Sequence, residues 1–165
     1  MDRYEYIGPQ SVRERALHEP PGATIDSLVA LDRWLADNPH ATHEGATFVI
    51  TVDGALALAP RRSEHVACAR GEPVLSAGEM VFALARGRWT VRSVSNQSTG
   101  YAPEPASYGA VARALDRLGV ARPESWTHEF IFRRCPACAQ LALVKDSVFE
   151  CAVCGAPLPL EPASR

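Results

Sequence analysis

Apolar and polar residues alternate along this chain with two different periods. Near the N-terminus, Ser11-Val12-Arg13-Glu14 has the form of a capping box, which predicts a short helix over about 10–18 that stops at Pro20-Pro21-Gly22. Ile25, Leu28, Leu31 and Leu35 then recur at helical spacing, with Asp26, Asp32 and Arg33 between them. This predicts a second helix capped by Thr24 and ended by Asn38-Pro39. The middle of the chain is β in character. The segments 47–52 and 55–58 flank Asp53-Gly54, a primed-turn dipeptide, and predict a hairpin. The segments 80–85 and 88–94 around Arg86-Gly87 predict another, and 64–69 a further strand. Ser107 can cap a helix that buries Val111, Leu115 and Leu118 and ends at Gly119. A strand over 126–133 should follow. Its consecutive Phe130, Ile131 and Phe132 suggest burial on both sides, so that the C-terminal part docks on the rest.

These elements predict an α+β fold: an antiparallel sheet with packed helices over residues 1–125, followed by a small C-terminal module with a loose, proline-rich tail over 126–165. The chain has 165 residues, 47% of them hydrophobic and 22% charged, which suits one ordinary core plus a small module. A net charge of -2 argues against nucleic acid as a partner, since non-specific binding needs a basic surface. No apolar run reaches the length of a membrane span and no signal peptide is legible, so a cytoplasmic location is expected. Lys145 is the sole lysine among 17 basic residues, a bias expected of a GC-rich bacterial genome.

The C-terminal module carries the sharpest chemistry. Cys135-Pro136-Ala137-Cys138 and Cys151-Ala152-Val153-Cys154 are two C-x-x-C pairs, and the twelve residues between them read as strand, turn and strand over 141–144 and 147–150. The pattern resembles the zinc ribbon. The resemblance implies a Zn2+ held by Cys135, Cys138, Cys151 and Cys154. With four protein ligands the site is closed, hence structural. Gly155 follows the second pair as in ribbons, whereas Ala139 follows the first. Arg133, Arg134 and Lys145 make a small basic spot, expected to neutralise the thiolate centre rather than to read nucleic acid.

A second constellation lies upstream. His65, Gly71, Pro73, Val74, Ala77, Gly78 and Glu79, followed by Ser95, Asn96, Ser98, Tyr101 and Pro103, keep the spacing of a motif pair. It resembles the uncharacterised domain shared by plant IQ-motif calmodulin-binding proteins and some bacterial proteins. The resemblance covers about residues 45–120 and implies a fold and a site more than a reaction. Val66-Ala67-Cys68 stands where that pattern has Ser-Ser-Phe, its second histidine is missing, and no IQ helix is present. His65, Glu79, Asn96, Ser98 and Tyr101 are the candidate ligand-binding residues, because a polar loop after an apolar strand often carries ligand groups; the alternative is a structural set, with Ser95, Asn96 and Ser98 bonding backbone and Tyr101 tying the loop to the sheet. The expected function is binding or adaptor work toward a protein or a small molecule. One alternative is ADP-ribosyltransferase-like chemistry using His65, Tyr101 and an acid, with Glu104 and Glu129 as further candidates. Another is nucleic-acid association through the ribbon. Cys68 is expected to be a buried thiol. As a nucleophile paired with His65 it would sit at i and i+3 of a strand, on the opposite face.

Overall fold

The computed structural model describes residues 1–163. A five-stranded antiparallel sheet forms the centre, in the order β1-β3-β2-β4-β5. The strands are β1 (Ala23–Ile25), β2 (Ala46–Thr51), β3 (Leu56–Pro60), β4 (Val74–Ala85) and β5 (Arg88–Ser95). Helices α1 (Gln10–Ala16), α2 (Leu28–Asp37), α3 (His65–Cys68) and α4 (Tyr108–Leu118) surround it. A separate two-stranded sheet, β6 (Ile131–Arg134) with β7 (Leu141–Val144), lies at the C-terminal end. The α+β expectation therefore holds, with the cysteine cluster following the main sheet.

Alternation along β2 explains why both faces of the sheet are covered. Phe48 and Ile50 join Leu58, Met80 and Phe82 on one face, under Leu31 and Leu35 of α2 and Val111 and Leu115 of α4. Val49 faces the other way, with Ala57, Ala77, Tyr4, Val66 and Tyr101. β2 is thus nearly continuous in apolar character because it is central and buried on both sides. The edges are guarded: β1 has three residues, and the main chain of Ala121 and Thr127 bonds to β5.

Several sequence expectations shift. Thr24 and Ile25 do not open α2 but pair with Ala57 and Leu56 as β1. The helix starts at Leu28, where the Ser27 hydroxyl accepts from the Ala30 N–H at 3.1 Å. A capping residue immediately before Leu28 outweighed the periodicity that reaches back to Ile25. The box at Ser11–Glu14 also fails: α1 begins at Gln10, behind Pro9, with no side-chain cap. Residues 65–68 form one helical turn rather than a strand. The Asp53-Gly54 hairpin forms, but only Gly54 takes a positive φ (87°), and Thr51 and Ala55 close a three-residue turn. Arg86 (52°) and Gly87 (75°) make the two-residue primed turn. Ser107 sits at the N-cap of α4 with its hydroxyl turned inward to Ser76 at 2.9 Å, and Gly119 ends the helix at φ 74° as expected.

β4 begins at Val74, six residues earlier than the sequence suggested, so Val74–Glu79 is strand rather than loop. Gly78 shows why no larger residue fits there. A Cβ at this position would collide with the Ser95 carbonyl oxygen on β5.

Candidate metal centre and the junction beside it

β6 ends directly at Cys135 and β7 begins three residues after Cys138, so the first knuckle is the connection of a hairpin whose register is Arg134 opposite Leu141. The strand partner of β7 is β6, not 147–150. That segment contributes only isolated bridges, Lys145 to Val148 across a turn with Asp146 and Ser147 at positive φ, and Glu150 to Pro157. The two knuckles share one geometry. Ala139 N–H donates to Cys135 O at 2.9 Å, and Gly155 N–H donates to Cys151 O at 2.8 Å. Ala139 (φ 61°) adopts the same left-handed conformation as Gly155 (φ 75°). The missing glycine is thus tolerated rather than circumvented, at a cost of about 1 kcal/mol.

The four cysteine sulfurs lie within 4.8 Å of one another and are positioned to bind a metal ion. The shortest separations, 3.6 Å for Cys135–Cys154 and 3.7 Å for Cys138–Cys151, link different knuckles. Both are far longer than a disulfide bond of about 2.05 Å. They match the edge of about 3.8 Å of a tetrahedron with metal–sulfur bonds of about 2.3 Å. The backbone also favours thiolates. N–H groups of Cys138 and Ala137 beside the Cys135 sulfur pull its thiol down to about 7. The Ala156 N–H pulls on Cys154 in the same sense, yet the adjacent Cys135 sulfur pushes it up to about 12. Four crowded sulfurs resist full ionisation until a cation joins them.

The expected loose tail is partly built into this module. Leu158 is buried, its N–H donates to Phe149 O at 2.9 Å, and Pro157 bridges Glu150. Residues 164–165 of that tail lie outside the described residues.

Two side chains attach the hairpin to the main sheet. Asn96, fully buried at the end of β5, donates to Phe130 O at 2.8 Å and Pro103 O at 2.9 Å, and accepts from Phe130 N–H at 2.7 Å. Its amide thus imitates a neighbouring strand. Arg133 is buried as well. It pairs with Glu104 at 3.0 Å and donates to the carbonyls of Phe132, Pro159 and Leu160. Arg133 is therefore an internal tie rather than part of a basic spot; Arg134 is exposed and donates to Ala139 O at 2.7 Å. Phe132 and Arg133 are buried while Phe130 and Ile131 are only partly so, so burial on both sides falls on 132–133 and not on all of 130–132.

The other candidate residues distribute as follows. His65 Nε2 donates to Gly78 O at 2.8 Å, which leaves Nδ1 as an acceptor. Burial pushes its imidazole below the usual histidine range, against the pull of the Gly78 carbonyl and of the Glu79 and Glu64 carboxylates. Tyr101 is fully buried, donates to Glu72 O at 2.8 Å, and packs edge-on against Tyr6 with centroids 5.7 Å apart; burial pushes its hydroxyl well up. Ser98 is buried and holds the turn, its carbonyl accepting from Ala102 N–H at 2.7 Å. Glu79 pairs with Arg61 at 3.5 Å and lines a different cavity from His65, one shared with Trp34 and Glu44. Cys68 points into the core near Ala57 O, and burial pushes its thiol up to about 12. Its isolation from nucleophilic chemistry thus comes from burial, not from opposite strand faces.

A cleft of about 530 Å³ opens between the hairpin and the segments that flank the main sheet, namely the N-terminal segment, α3 and the 95–103 loop. Its main-sheet wall includes Tyr6, Glu64, His65 and Thr99; its hairpin wall is Arg134, Gln140 and Leu141. Gly100 makes room for Tyr6, since a Cβ there would come within 2.8 Å of the ring. Of the candidate set, His65 alone lines this cleft, beside Thr99 and Gly100 of the 95–103 loop. Sequence reading missed Tyr6, Glu64, Arg134 and Gln140. They lie far apart in the chain, and only the junction brings them together.

No protein-family model matches the chain, and no curated protein or solved structure is significantly similar to it. The resemblance of the central motif pair therefore rests on those residues alone.

Proposed function

We propose that this chain is a zinc-braced binding protein whose ligand occupies the cleft between the main sheet and the metal hairpin. The carrying observation is the composition of that cleft: residues from the N-terminal segment, α3, the 95–103 loop and the hairpin converge on one cavity large enough for a small molecule or a peptide end. Zinc is the ion that four thiolates in tetrahedral array select best. Cys135, Cys138, Cys151 and Cys154 would hold it, and a closed four-thiolate site supplies cross-linking rather than Lewis acidity to a substrate. The hairpin's own apolar cluster contains Ala142, Leu158 and two of the ligating cysteines. A cluster so small cannot order a module, so the metal orders the Arg134–Leu141 wall.

Binding is favoured over transfer chemistry because Tyr101 and Asn96 have committed their polar atoms to main-chain groups, and Cys68 is a buried thiol. Nucleic-acid association gains nothing from Arg133, which is buried and paired. Among the described residues, no helix is long and apolar enough to cross a membrane. We place the protein in the bacterial cytoplasm, where its thiols stay reduced.

The test is amide NMR of the zinc-loaded protein titrated with a fractionated small-molecule extract. Shifts confined to Tyr6, His65, Thr99, Arg134 and Gln140 are expected. Ligand-induced shifts confined to other surfaces would overturn the assignment of the cleft.

A further inference from the structure

Building on the cleft as the binding site, we infer that its ligand is a small zwitterion of the α-amino-acid or dipeptide class, with its ammonium toward the main-sheet wall and its carboxylate toward the hairpin wall. The two walls carry opposite chemistry. Glu64, His65, whose Nδ1 is left as an acceptor, and Tyr6 line the cleft from the main-sheet side. They supply an anion, an acceptor and an aromatic face, the groups that recognise an ammonium. On the hairpin wall, Arg134 and Gln140 supply a guanidinium and an amide, the donors that recognise a carboxylate.

The charges also lack other engagements. Among the described residues, neither Glu64 nor Arg134 enters an ion pair, with each other or with any third residue. Opposite charges on facing walls that do not bridge one another leave space for a ligand carrying both charges. Arg134 binds Ala139 O through one Nη only, so the rest of its fork is available. His65 supports the polarity. Its Nε2 hydrogen is fixed on Gly78 O, so a ligand donor, not an acceptor, fits the free nitrogen. The aromatic wall is rigid: Tyr6 donates to Pro9 O at 3.1 Å and packs on Tyr101.

The experiment titrates the zinc-loaded full chain with a panel of free L-amino acids and simple dipeptides up to about 10 mM, reading amide shifts at Tyr6, His65, Thr99 and Gln140. Each is compared with its N-acetylated form, which lacks the ammonium, and its C-amidated form, which lacks the carboxylate. At least one free zwitterion should bind, with each blocked form at least tenfold weaker, since each loses one charge-assisted contact. E64Q should erase the penalty for acetylation and R134Q the penalty for amidation. Metal content measured on each variant shows whether the hairpin is intact, and R134K, which keeps the charge, should retain part of the discrimination. Equal binding by the blocked forms, or no shift in the cleft from any panel member, overturns the zwitterion. If an extract component of another class shifts the same amides, the cleft stands and the ligand class falls. If extract components shift only other surfaces, the cleft itself falls.

Discussion

The two sheets of this protein are stabilised in opposite ways. The five-stranded sheet buries both faces, with large side chains such as Phe48, Phe82, Met80 and Leu115 on one and Tyr4, Val66 and Tyr101 on the other. Around the two-stranded sheet the buried cluster has only four residues, two of them cysteines of the candidate metal centre. One sheet carries its own hydrophobic core; the other has a small cluster and four cysteines positioned to bind a metal ion, which on the proposed reading stands in for a core. The cleft lies on the boundary and takes one wall from each. On the proposed reading, binding in the cleft is coupled to metal, and each should raise the affinity of the other.

The largest effect expected is on the metal side. Cys138→Ser should abolish stoichiometric metal by elemental analysis and unfold the hairpin, a loss on the order of 10 kcal/mol in metal binding. The main sheet should still fold but melt at a lower temperature, because Asn96 and Arg133 then lose ordered partners. An unchanged melting of the main sheet would mean that the two sheets are not coupled.

The next contrast concerns the sheet's own tolerances. Gly78→Ala should destabilise the main sheet by about 3 kcal/mol, since the added methyl meets β5 backbone that cannot yield. The metal affinity of the folded fraction should be unchanged. Chemical denaturation with parallel metal titration checks both. Asn96→Ala strikes the tie itself and leaves buried main-chain groups of Phe130 unpaired, at about 2 kcal/mol. Hydrogen exchange at 128–134 should rise more than exchange in β2.

Smaller effects sharpen the comparison. His65 is held below its ordinary range by burial, so the folded state binds fewer protons than the unfolded chain. Its contribution is fully present above the unfolded value near 6.5 and is lost as pH falls from there toward the depressed folded value, at up to about 1.4 kcal/mol per pH unit. Replacing His65 with Gln should flatten that slope in a pH series of denaturant melts. Ala139→Gly should stabilise the metal-loaded hairpin by about 1 kcal/mol, since glycine adopts the left-handed knuckle without strain.

The legibility of the fold followed the same division. Where one local signal governed, as in the second hairpin, the Gly119 helix end and the C-x-x-C pairs, sequence reading matched the structure. It missed β1 because Thr24 and Ile25 continue the helical repeat of α2, and only pairing with Ala57 and Leu56 makes them a strand. It read Val74–Glu79 as loop because small residues there look like punctuation, whereas their smallness answers to the close approach of β5. The metal ligands were legible because they are local pairs. Of the cleft, only His65 and the loop beside it were, because Tyr6, Glu64, Arg134 and Gln140 have no common sequence signal. That Asn96 and Tyr101 fix the loop was legible as an alternative to ligand binding; that their partners are the main chain of Phe130 and Glu72 was not, since those groups are distant in sequence.

The division of labour between core and metal is tested most directly by hydrogen exchange with mass spectrometry on the zinc-loaded protein, before and after removal of the ion by a strong chelator. Protection in β2 and β4 should persist, while residues 131–158, including the Arg134, Gln140 and Leu141 wall of the cleft, should exchange freely. Loss of protection in both sheets together, or in neither, would contradict it.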